Sequence, residues 1–300
     1  VIPLTWDNWA ERLRIWISSN DMPDLATWNY VHGEAVSYAE QGLVRRFPDD
    51  WKTRWPNVAK AYENTGLGPA VEEITGGTYF LPKPIFSTNK PMKRLSGMTS
   101  LIMRKDWLKA VGAEIKDAYT TSEINEIARK IKEQDPGNLG SKLIPINTRY
   151  STALYVWSNN AHAVGNNQFY IGDDNKYHWG PAAPSTLVGL KLFKEAFDEG
   201  LLNREFFALG DNEDVASFYA AGQTAICFTE GQATNLLVFE KELKKNLGLE
   251  ADEVMHVAHI LGEDGKFHSE EVINYWTVSI FSPKMEDAKF ERIMDMFDFV

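Results

Sequence analysis

Strand-like and helical segments alternate along most of the 300-residue chain, and this alternation constrains the fold more than any other feature. The clearest helix is predicted over residues 121–134, where Thr120 and Glu123 form a capping box ahead of apolar residues at helical spacing. Strands interleaved with helices predict an α/β protein with mostly parallel pairing. Strands are predicted at 13–17, 99–103, 143–146, 223–228, 254–261 and 272–281, and further helices at 34–44, 186–199, 212–221, 232–246 and 285–300.

Composition and charge exclude several classes of protein. The chain carries 31 Lys and Arg residues against 42 Asp and Glu residues, for a net charge of −11. So acidic a chain is a poor candidate for binding nucleic-acid phosphates or an anionic membrane surface, and we expect no nucleic-acid partner. Its one cysteine, Cys227, excludes intrachain disulfides and cysteine-based zinc sites. No apolar run reaches the length of about 18 residues that spans a membrane.

Both ends of the chain have the features expected of truncation points. The chain begins Val1-Ile2-Pro3 without a methionine, and its last residues continue an apolar helical pattern without a stop signal. We therefore expect a chain truncated at both ends, and draw nothing about localisation from the missing signal peptide.

The common catalytic and metal-binding signatures are absent from the sequence. It contains no GxSxG, HExxH, Walker loop or GxGxxG motif. His256 and His259 are three residues apart in a predicted strand, so their side chains point to opposite faces and cannot chelate one metal. Asp135 is followed by Pro136, which interrupts the alternating carboxylates that a calcium loop needs. We predict neither a metal nor a cofactor.

Glu230 is an acidic residue with a catalytic interpretation. It follows the strand predicted at 223–228 and precedes a helix, where α/β sheets carry functional loops. A polysaccharide-active hydrolase or lyase would use it with a second acid, which the sequence does not identify. The other interpretation is a carboxylate that the positive end of the helix dipole favours. Both remain open.

Aromatic residues beside amides suggest a sugar-binding site. The chain has 10 Trp, 11 Tyr and 16 Phe residues. Trp28 precedes Asn29, and Trp157 lies close to Asn159, both in loop-like sequence, while Trp276 lies in a predicted strand. An aromatic ring stacks on the C–H face of a sugar, and amides hydrogen-bond its hydroxyls. A position in the core is the competing interpretation for each tryptophan.

Several segments along the chain share a pattern with one known family. They are ISSNDMPDL at 17–25, YAEQGLV at 38–44, WPNV at 55–58, GGTYFLP at 76–82, LIMRKDWL at 101–108, GLKLFKEAFDEGLLNREF at 189–206 and FYAAGQTAI at 218–226. These segments resemble, in the same order, those of extracellular solute-binding proteins of carbohydrate ABC importers, and especially the oligosaccharide lipoproteins of Gram-positive bacteria, which include binders of pectic and alginate fragments. A single segment is weakly specific, but their common order covers nearly the whole chain.

The resemblance implies a periplasmic-binding-protein-like type II fold, an α/β fold of two lobes with a hinge and an interlobe cleft. On that template residues 1–85 and 262–300 form a first, incomplete lobe, and residues 86–261 form the second. The calcium loop of several relatives is degraded here at 135–141, so no calcium is expected.

The resemblance also implies non-catalytic capture of an oligosaccharide by hinge closure and delivery to an ABC transporter permease. The protein would be a cell-surface lipoprotein or periplasmic, with any membrane anchor outside this chain.

The resemblance and the residue chemistry together predict the ligand contacts. Arg104 and Arg149 could each pair with a carboxylate of a uronate-bearing sugar, and structural salt bridges are the equal alternative for both. Besides the hydrolase or lyase, a surface adhesin or sensor domain that keeps the fold is a third functional alternative. The predicted ligand-binding residues are Trp28, Asn29, Arg104, Arg149, Tyr150, Trp157, Asn159, Glu230, Tyr275 and Trp276.

Overall fold

The structure is a computed structural model that describes residues 2–4, 8–28, 32–84, 99–149, 152–153, 169–210, 212–267 and 275–299. The chain divides into two compact units, Val1–Lys93 with Glu271–Val300 and Arg94–Glu270. The boundaries predicted from the sequence, 85/86 and 261/262, lie eight and nine residues earlier in the chain than the observed ones at 93/94 and 270/271. Within the described ranges, no helix has the length and apolar character needed to cross a membrane.

Helices and strands are interspersed along the described residues, without the strict alternation expected from the sequence. In chain order they are α1 Trp9–Ser18, β1 Leu25–Trp28, α2 His32–Glu40, α3 Trp51–Arg54, α4 Pro56–Glu63, α5 Leu67–Thr75, β2 Leu81–Lys83, β3 Thr99–Arg104, α6 Lys105–Ala110, β4 Ala118–Thr120, α7 Thr121–Gln134, β5 Ile144–Asn147, β6 Phe169–Ile171, β7 Tyr177–Trp179, α8 Pro184–Asp198, α9 Asn212–Ala220, β8 Thr224–Glu230, α10 Ala233–Leu247, α11 Ala251–Val254, β9 Met255–Leu261, β10 Thr277–Phe281 and α12 Asp287–Asp298.

The first unit is built on a small antiparallel sheet with the order β1-β10-β2. Trp28 is opposite Val278 on one side of β10, and Lys83 is opposite Thr277 on the other. All five residues of β10 are buried, and the hydroxyls of Thr27 and Ser279 lie 2.8 Å apart across the β1–β10 pair. The end of β1, the end of β2 and the start of β10 therefore meet at one edge of this sheet.

The strand predicted at residues 13–17 is wrong, because these residues lie in α1. Leu13 and Ile17 are buried one helical turn apart, whereas Ile15 between them is 54% exposed. The alternation of apolar residues over 13–17 imitates a strand. Trp9, Leu13 and Trp16 are instead spaced as i, i+4 and i+7, which places them on one helical face against the core.

Helix α12 packs on the rest of the first unit through an aromatic cluster. The Phe290 ring meets the rings of Phe47, Trp55 and Phe281 edge to face, at centroid distances of 5.1, 5.8 and 5.0 Å. Edge-to-face pairs each stabilise a core by about 0.5–1.5 kcal/mol beyond their burial. The Trp55 indole also donates to the Asp295 carboxylate at 2.8 Å. These contacts join α12 to β10 and to Trp55, the residue that precedes α4.

The second unit is built on a five-stranded sheet with the order β4-β9-β3-β8-β5. Strands β4 and β9 pair in parallel, as do β5 and β8, whereas β3 is antiparallel to both β8 and β9. Four strands thus run in one direction and the central strand runs against them. The expectation of mostly parallel pairing is wrong for this reason, since an inverted central strand makes both of its pairings antiparallel.

Helix α7 confirms the prediction made from its capping box. The Glu123 N–H donates to the Thr120 hydroxyl, and the Thr120 N–H donates to the Glu123 carboxylate at 2.9 Å. Its apolar stripe, with Ile124 and Ile131 fully buried, covers the main core of the second unit together with β3 and β8. Helices α8, α9 and α10 lie within two residues of their predicted bounds.

Strands β6 and β7 form a separate two-stranded hairpin. Its pairing places Phe169 opposite Trp179, and their rings are 4.9 Å apart. Both rings are exposed, as is Tyr177 on the same ribbon.

Candidate functional site

Four strands of the second unit end at the same edge of its sheet. Because β4, β5, β8 and β9 run in one direction, their carboxyl ends meet there, beside the first residue of the inverted β3. Glu230, the last residue of β8, is opposite Thr99 in the β3–β8 register. Open α/β sheets bind ligands outside the carboxyl ends of their strands. This carboxyl-end edge is therefore the first place to look for a site.

Arg149 and Glu230 form an ion pair at the carboxyl-end edge. Arg149 follows β5, and its Nη2 donates to Glu230 Oε1 at 2.7 Å. The side chains are 21% and 25% exposed, so the pair is sheltered but reachable from solvent. Arg149 Nε also donates to the Thr152 hydroxyl at 3.2 Å. The parallel pairing of β5 with β8 brings together these two predicted ligand-binding residues, which are 81 positions apart in the chain.

Buried asparagine side chains form hydrogen bonds at this edge. Asn235, in the first turn of α10, donates to the Thr229 hydroxyl at 3.0 Å and to the Glu230 carbonyl. Asn147, the last residue of β5, is fully buried and accepts from Asn203 Nδ2 at 2.8 Å. The sequence reasoning did not name these three asparagines. An amide that closes an apolar strand, as Asn147 does, is the signal that could have found one of them, because a buried amide needs partners and so holds a loop in place.

Arg104 does not join this pair. It is the last residue of β3, so the length of that strand, about 17 Å at some 3.3 Å per residue, separates its backbone from the end that faces Glu230. Its side chain is 7% exposed and donates to both Asp106 carboxylate oxygens, at 2.8 and 2.6 Å. The guanidinium also lies 4.9 Å from the centre of the Trp107 ring. Of the two alternatives left open for Arg104, this geometry supports the structural salt bridge.

Trp276 and Tyr275 lie beside the sheet edge where β10 begins. The strand predicted from residue 272 starts at Thr277 in the part of it that the structure describes, so Trp276 precedes β10. Trp276 is 56% exposed, at the edge where β1 ends with Trp28. Tyr275 is half-buried against the core of the first unit, and this burial raises the pKa of its phenol. The exposed indole is the one of these two side chains that offers a stacking face.

Four of the ten predicted ligand-binding residues lie outside the described residues. For Trp28 only the backbone position at the end of β1 is described. The roles of these residues stay predictions from the sequence. The four are Asn29, Tyr150, Trp157 and Asn159.

The described residues hold no group of three or more His, Cys, Asp or Glu side chains that could bind a metal ion. The Asp135 carboxylate accepts the backbone N–H groups of Leu139 and Gly140, at 2.9 and 2.7 Å, and so closes the turn after α7. His256 forms a 2.7 Å hydrogen bond with the Lys116 carbonyl, while the His259 ring packs on Phe267. These side chains have structural partners within the fold.

Two curated proteins match the sequence, and no family model does. The chain is 22% identical to the fructooligosaccharide ABC transporter substrate-binding protein FusA of Streptococcus pneumoniae serotype 4, over 72% of this chain and 42% of FusA. It is 29% identical to the lipoprotein LipO of Bacillus subtilis, over 35% of this chain and 22% of LipO. The chain thus spans less than half the length of the curated relatives it matches.

Solved structures match nearly the whole chain. S. pneumoniae FusA in complex with kestose superposes with a TM-score of 0.70 at 18% identity, over 98% of this chain and 59% of FusA. The alginate-binding protein AlgQ2 gives a TM-score of 0.66 at 18% identity, over 97% of this chain and 57% of AlgQ2. A solute-binding protein from Bifidobacterium longum infantis, associated with an HMO-binding ABC transporter, gives a TM-score of 0.64 at 14% identity. The match covers 99% of this chain and 60% of the Bifidobacterium protein.

FusA, AlgQ2 and the Bifidobacterium protein are sugar-binding or ABC-transporter solute-binding proteins. The chain has their fold, and the α/β, periplasmic-binding-protein-like fold expected from the sequence is confirmed.

Proposed function

We propose that this chain is the sugar-capturing part of an extracellular solute-binding protein that delivers an oligosaccharide to an ABC transporter permease. The observation that carries the proposal is the Arg149–Glu230 pair at the carboxyl-end edge of a fold shared with sugar-binding proteins. Fold alone does not determine function, so the chemistry of this edge has to support it.

The edge suits a ligand rich in hydroxyl groups. Each sugar hydroxyl both donates and accepts a hydrogen bond, and the pair presents guanidinium donors beside carboxylate acceptors. Buried asparagines hold the backbone and so preorganise these groups. In the first unit, taken by itself, the exposed side chain of Trp276 has the chemistry for stacking on a sugar ring. Stacking and charged hydrogen bonds each contribute on the order of 1–2 kcal/mol.

The pairing of Glu230 favours binding over the alternative of a hydrolase or lyase. A glycosidase acid is a protonated carboxyl group in an apolar pocket, with a second carboxyl group across the scissile bond. The Glu230 carboxylate instead contacts the Arg149 guanidinium at 2.7 Å, and so serves as a fixed acceptor. We therefore propose a non-catalytic role.

The partners and location follow from the same proposal. FusA is an ABC transporter substrate-binding protein and LipO is a lipoprotein, which supports an extracellular or periplasmic protein that hands its ligand to a permease. Attachment to the membrane would then come from an anchor outside this chain.

A thermal-shift scan against plant, algal and host oligosaccharides tests the proposal. A ligand that binds only the folded state raises the melting temperature, by about 4 °C or more at a concentration near a hundred times its Kd. Kestose and nystose belong in the panel with α- and β-linked glucans, chito-oligosaccharides and uronates. A selective rise supports the proposal, and a folded protein that no oligosaccharide stabilises contradicts it. Shorter sugar products, seen by mass spectrometry after incubation, would instead support the hydrolase or lyase.

A further inference from the structure

Each of two sheet edges in the second unit carries an arginine paired with a carboxylate, but the two pairs differ in exposure. Arg104, beside Asp106, is 7% exposed, whereas Arg149 and Glu230 are 21% and 25% exposed. Only the latter pair stands at the edge where parallel strands end. An arginine at a sugar-binding edge would by itself attract an anionic sugar, because guanidinium and carboxylate groups form strong charge-assisted hydrogen bonds.

We propose that Glu230 sets the charge specificity of this site: its carboxylate compensates Arg149, so the site accepts uncharged oligosaccharides and rejects uronates. The inference rests on the proposed function, because it assumes that a sugar contacts the carboxyl-end edge. The sequence left both neutral and uronate-bearing sugars open as ligands. The inference selects the neutral sugars.

Several contacts hold Glu230 and Arg149 next to each other. Its backbone is held in β8 by pairing with Thr99 of β3, and its carbonyl accepts from Asn235. The Arg149 guanidinium is held from a second side by Thr152. A uronate carboxylate that approached Arg149 would meet the Glu230 charge next to it, and like charges held together disfavour binding. A neutral hydroxyl can donate to Glu230 and accept from Arg149 at once.

The substitution Glu230→Gln tests the inference, because it keeps the side-chain shape and removes the charge. The neutral sugar with the largest thermal shift is titrated by calorimetry beside trigalacturonate and trimannuronate. The wild-type chain binds the neutral sugar and prefers it at least about tenfold over either uronate. In Glu230→Gln the Arg149 guanidinium has lost its charged partner and becomes available to an anion, and uronate affinity rises about ten- to hundredfold, as expected for a new hydrogen bond between charged groups.

Two further variants separate charge specificity from a general effect of charge. Asp106→Asn changes the net charge of the same unit by the same amount, at the opposite edge of the sheet, and leaves the preference for neutral sugars as in the wild type. The double variant Arg149→Gln/Glu230→Gln loses the uronate gain, because the guanidinium that would bind the carboxylate is gone. The unliganded melting temperature of each variant is measured alongside, so that only folded variants are compared.

The outcomes distinguish this inference from the proposed function. A wild type that binds neutral sugars, with a Glu230→Gln variant that folds and gains nothing for uronates, overturns the inference and leaves the proposed function standing. A wild type that binds uronates as tightly as neutral sugars also overturns the inference and leaves the proposed function standing. A folded wild type that binds no sugar removes the proposed function and the inference with it.

Discussion

Asp298, near the end of the last helix, caps the beginning of helix α4: its Oδ1 accepts the backbone N–H of Asn57 at 2.7 Å. The same oxygen accepts the Val58 N–H at 3.0 Å, and the Asp298 carbonyl accepts from the Asn57 side chain. The first N–H groups of a helix have no partner within the helix, and an N-capping residue normally satisfies them. Here a residue 240 positions away does so. The cap therefore joins the two chain segments that make up the first unit.

We predict that Asp298→Ala lowers the free energy of unfolding by about 1–2 kcal/mol, because it leaves these N–H groups without their carboxylate acceptor. Urea unfolding measures the change. Asp298→Asn keeps an acceptor oxygen and is the matched control, with a clearly smaller loss expected. Equal losses in the two variants would show that charge, and not capping, stabilises this contact.

The capping box of α7 makes part of the stability depend on pH. A hydrogen bond from Lys116, with one from the Thr120 backbone, lowers the pKa of the Glu123 carboxyl below its ordinary value. A carboxyl group whose pKa is lowered by folding stabilises the folded state above its unfolded-state pKa, and this contribution disappears as the pH falls through the folded-state value. Glu123→Gln retains the capping geometry, since glutamine also serves in a capping box. We therefore expect it to be less stable than the wild type at pH 7, with a difference that shrinks as the pH falls below about 4.3.

The measurement is the free energy of unfolding of both proteins between pH 7 and pH 3. Lys116→Met completes a double-mutant cycle, in which the two substitutions together should cost less than their sum at pH 7. A difference that stays constant over the whole range would mean that the charge of Glu123 contributes nothing.

Cys227 is predicted to be inert in the folded protein. It lies in the middle of β8, opposite Ile102 of β3, with no exposed surface. Burial raises the pKa of its thiol well above the ordinary value, so the reactive thiolate is scarce as well as inaccessible. We expect iodoacetamide not to label Cys227 under native conditions and to label it completely in denaturing urea. Mass spectrometry measures the labelled fraction. Rapid native labelling would show that the β3–β8 pair opens readily.

Trp276→Ala is expected to weaken binding of the neutral oligosaccharide three- to tenfold, roughly what one aromatic stacking contact is worth. Because Trp276 is 56% exposed, the unliganded melting temperature should change little. Trp179→Ala is the control, since that partly exposed tryptophan lies on the β6–β7 hairpin and is not among the predicted ligand-binding residues. Calorimetry supplies the affinities. Unchanged affinity with a much lower melting temperature would assign Trp276 to packing.

Local patterns in the sequence predicted the elements whose determinants are local. The helix from Thr121 to Gln134 has its start set by Thr120 and Glu123, three residues apart, and its core face by a regular apolar stripe. The failure at residues 13–17 was also local in origin. Five residues of alternating character are weaker evidence for a strand than the helical face from Trp9 to Trp16, eight residues long, is for a helix.

The partners of the site residues depend on strand order, which no local pattern contains. The sequence indicated Arg149, Glu230 and Arg104 as chemically capable, but their pairing required knowing that β5 lies beside β8 and that β3 runs against both. That inversion separates Arg104 from the other two. The supporting asparagines were missed because their role is defined by what buries them, and not by their neighbours in the chain.

The inverted central strand also sets an order of events in folding. Residues 101–103 of β3 are fully buried in the folded chain, yet both neighbouring strands, β8 and β9, are synthesised long after them. This apolar strand has two unpaired edges until residue 230 has left the ribosome and one until residue 261 has, and such edges invite pairing with other chains. Contacts between residues so far apart in the chain also form slowly. The centre of the second unit is thus the last part of it to be completed, and we expect its yield on refolding to fall with protein concentration.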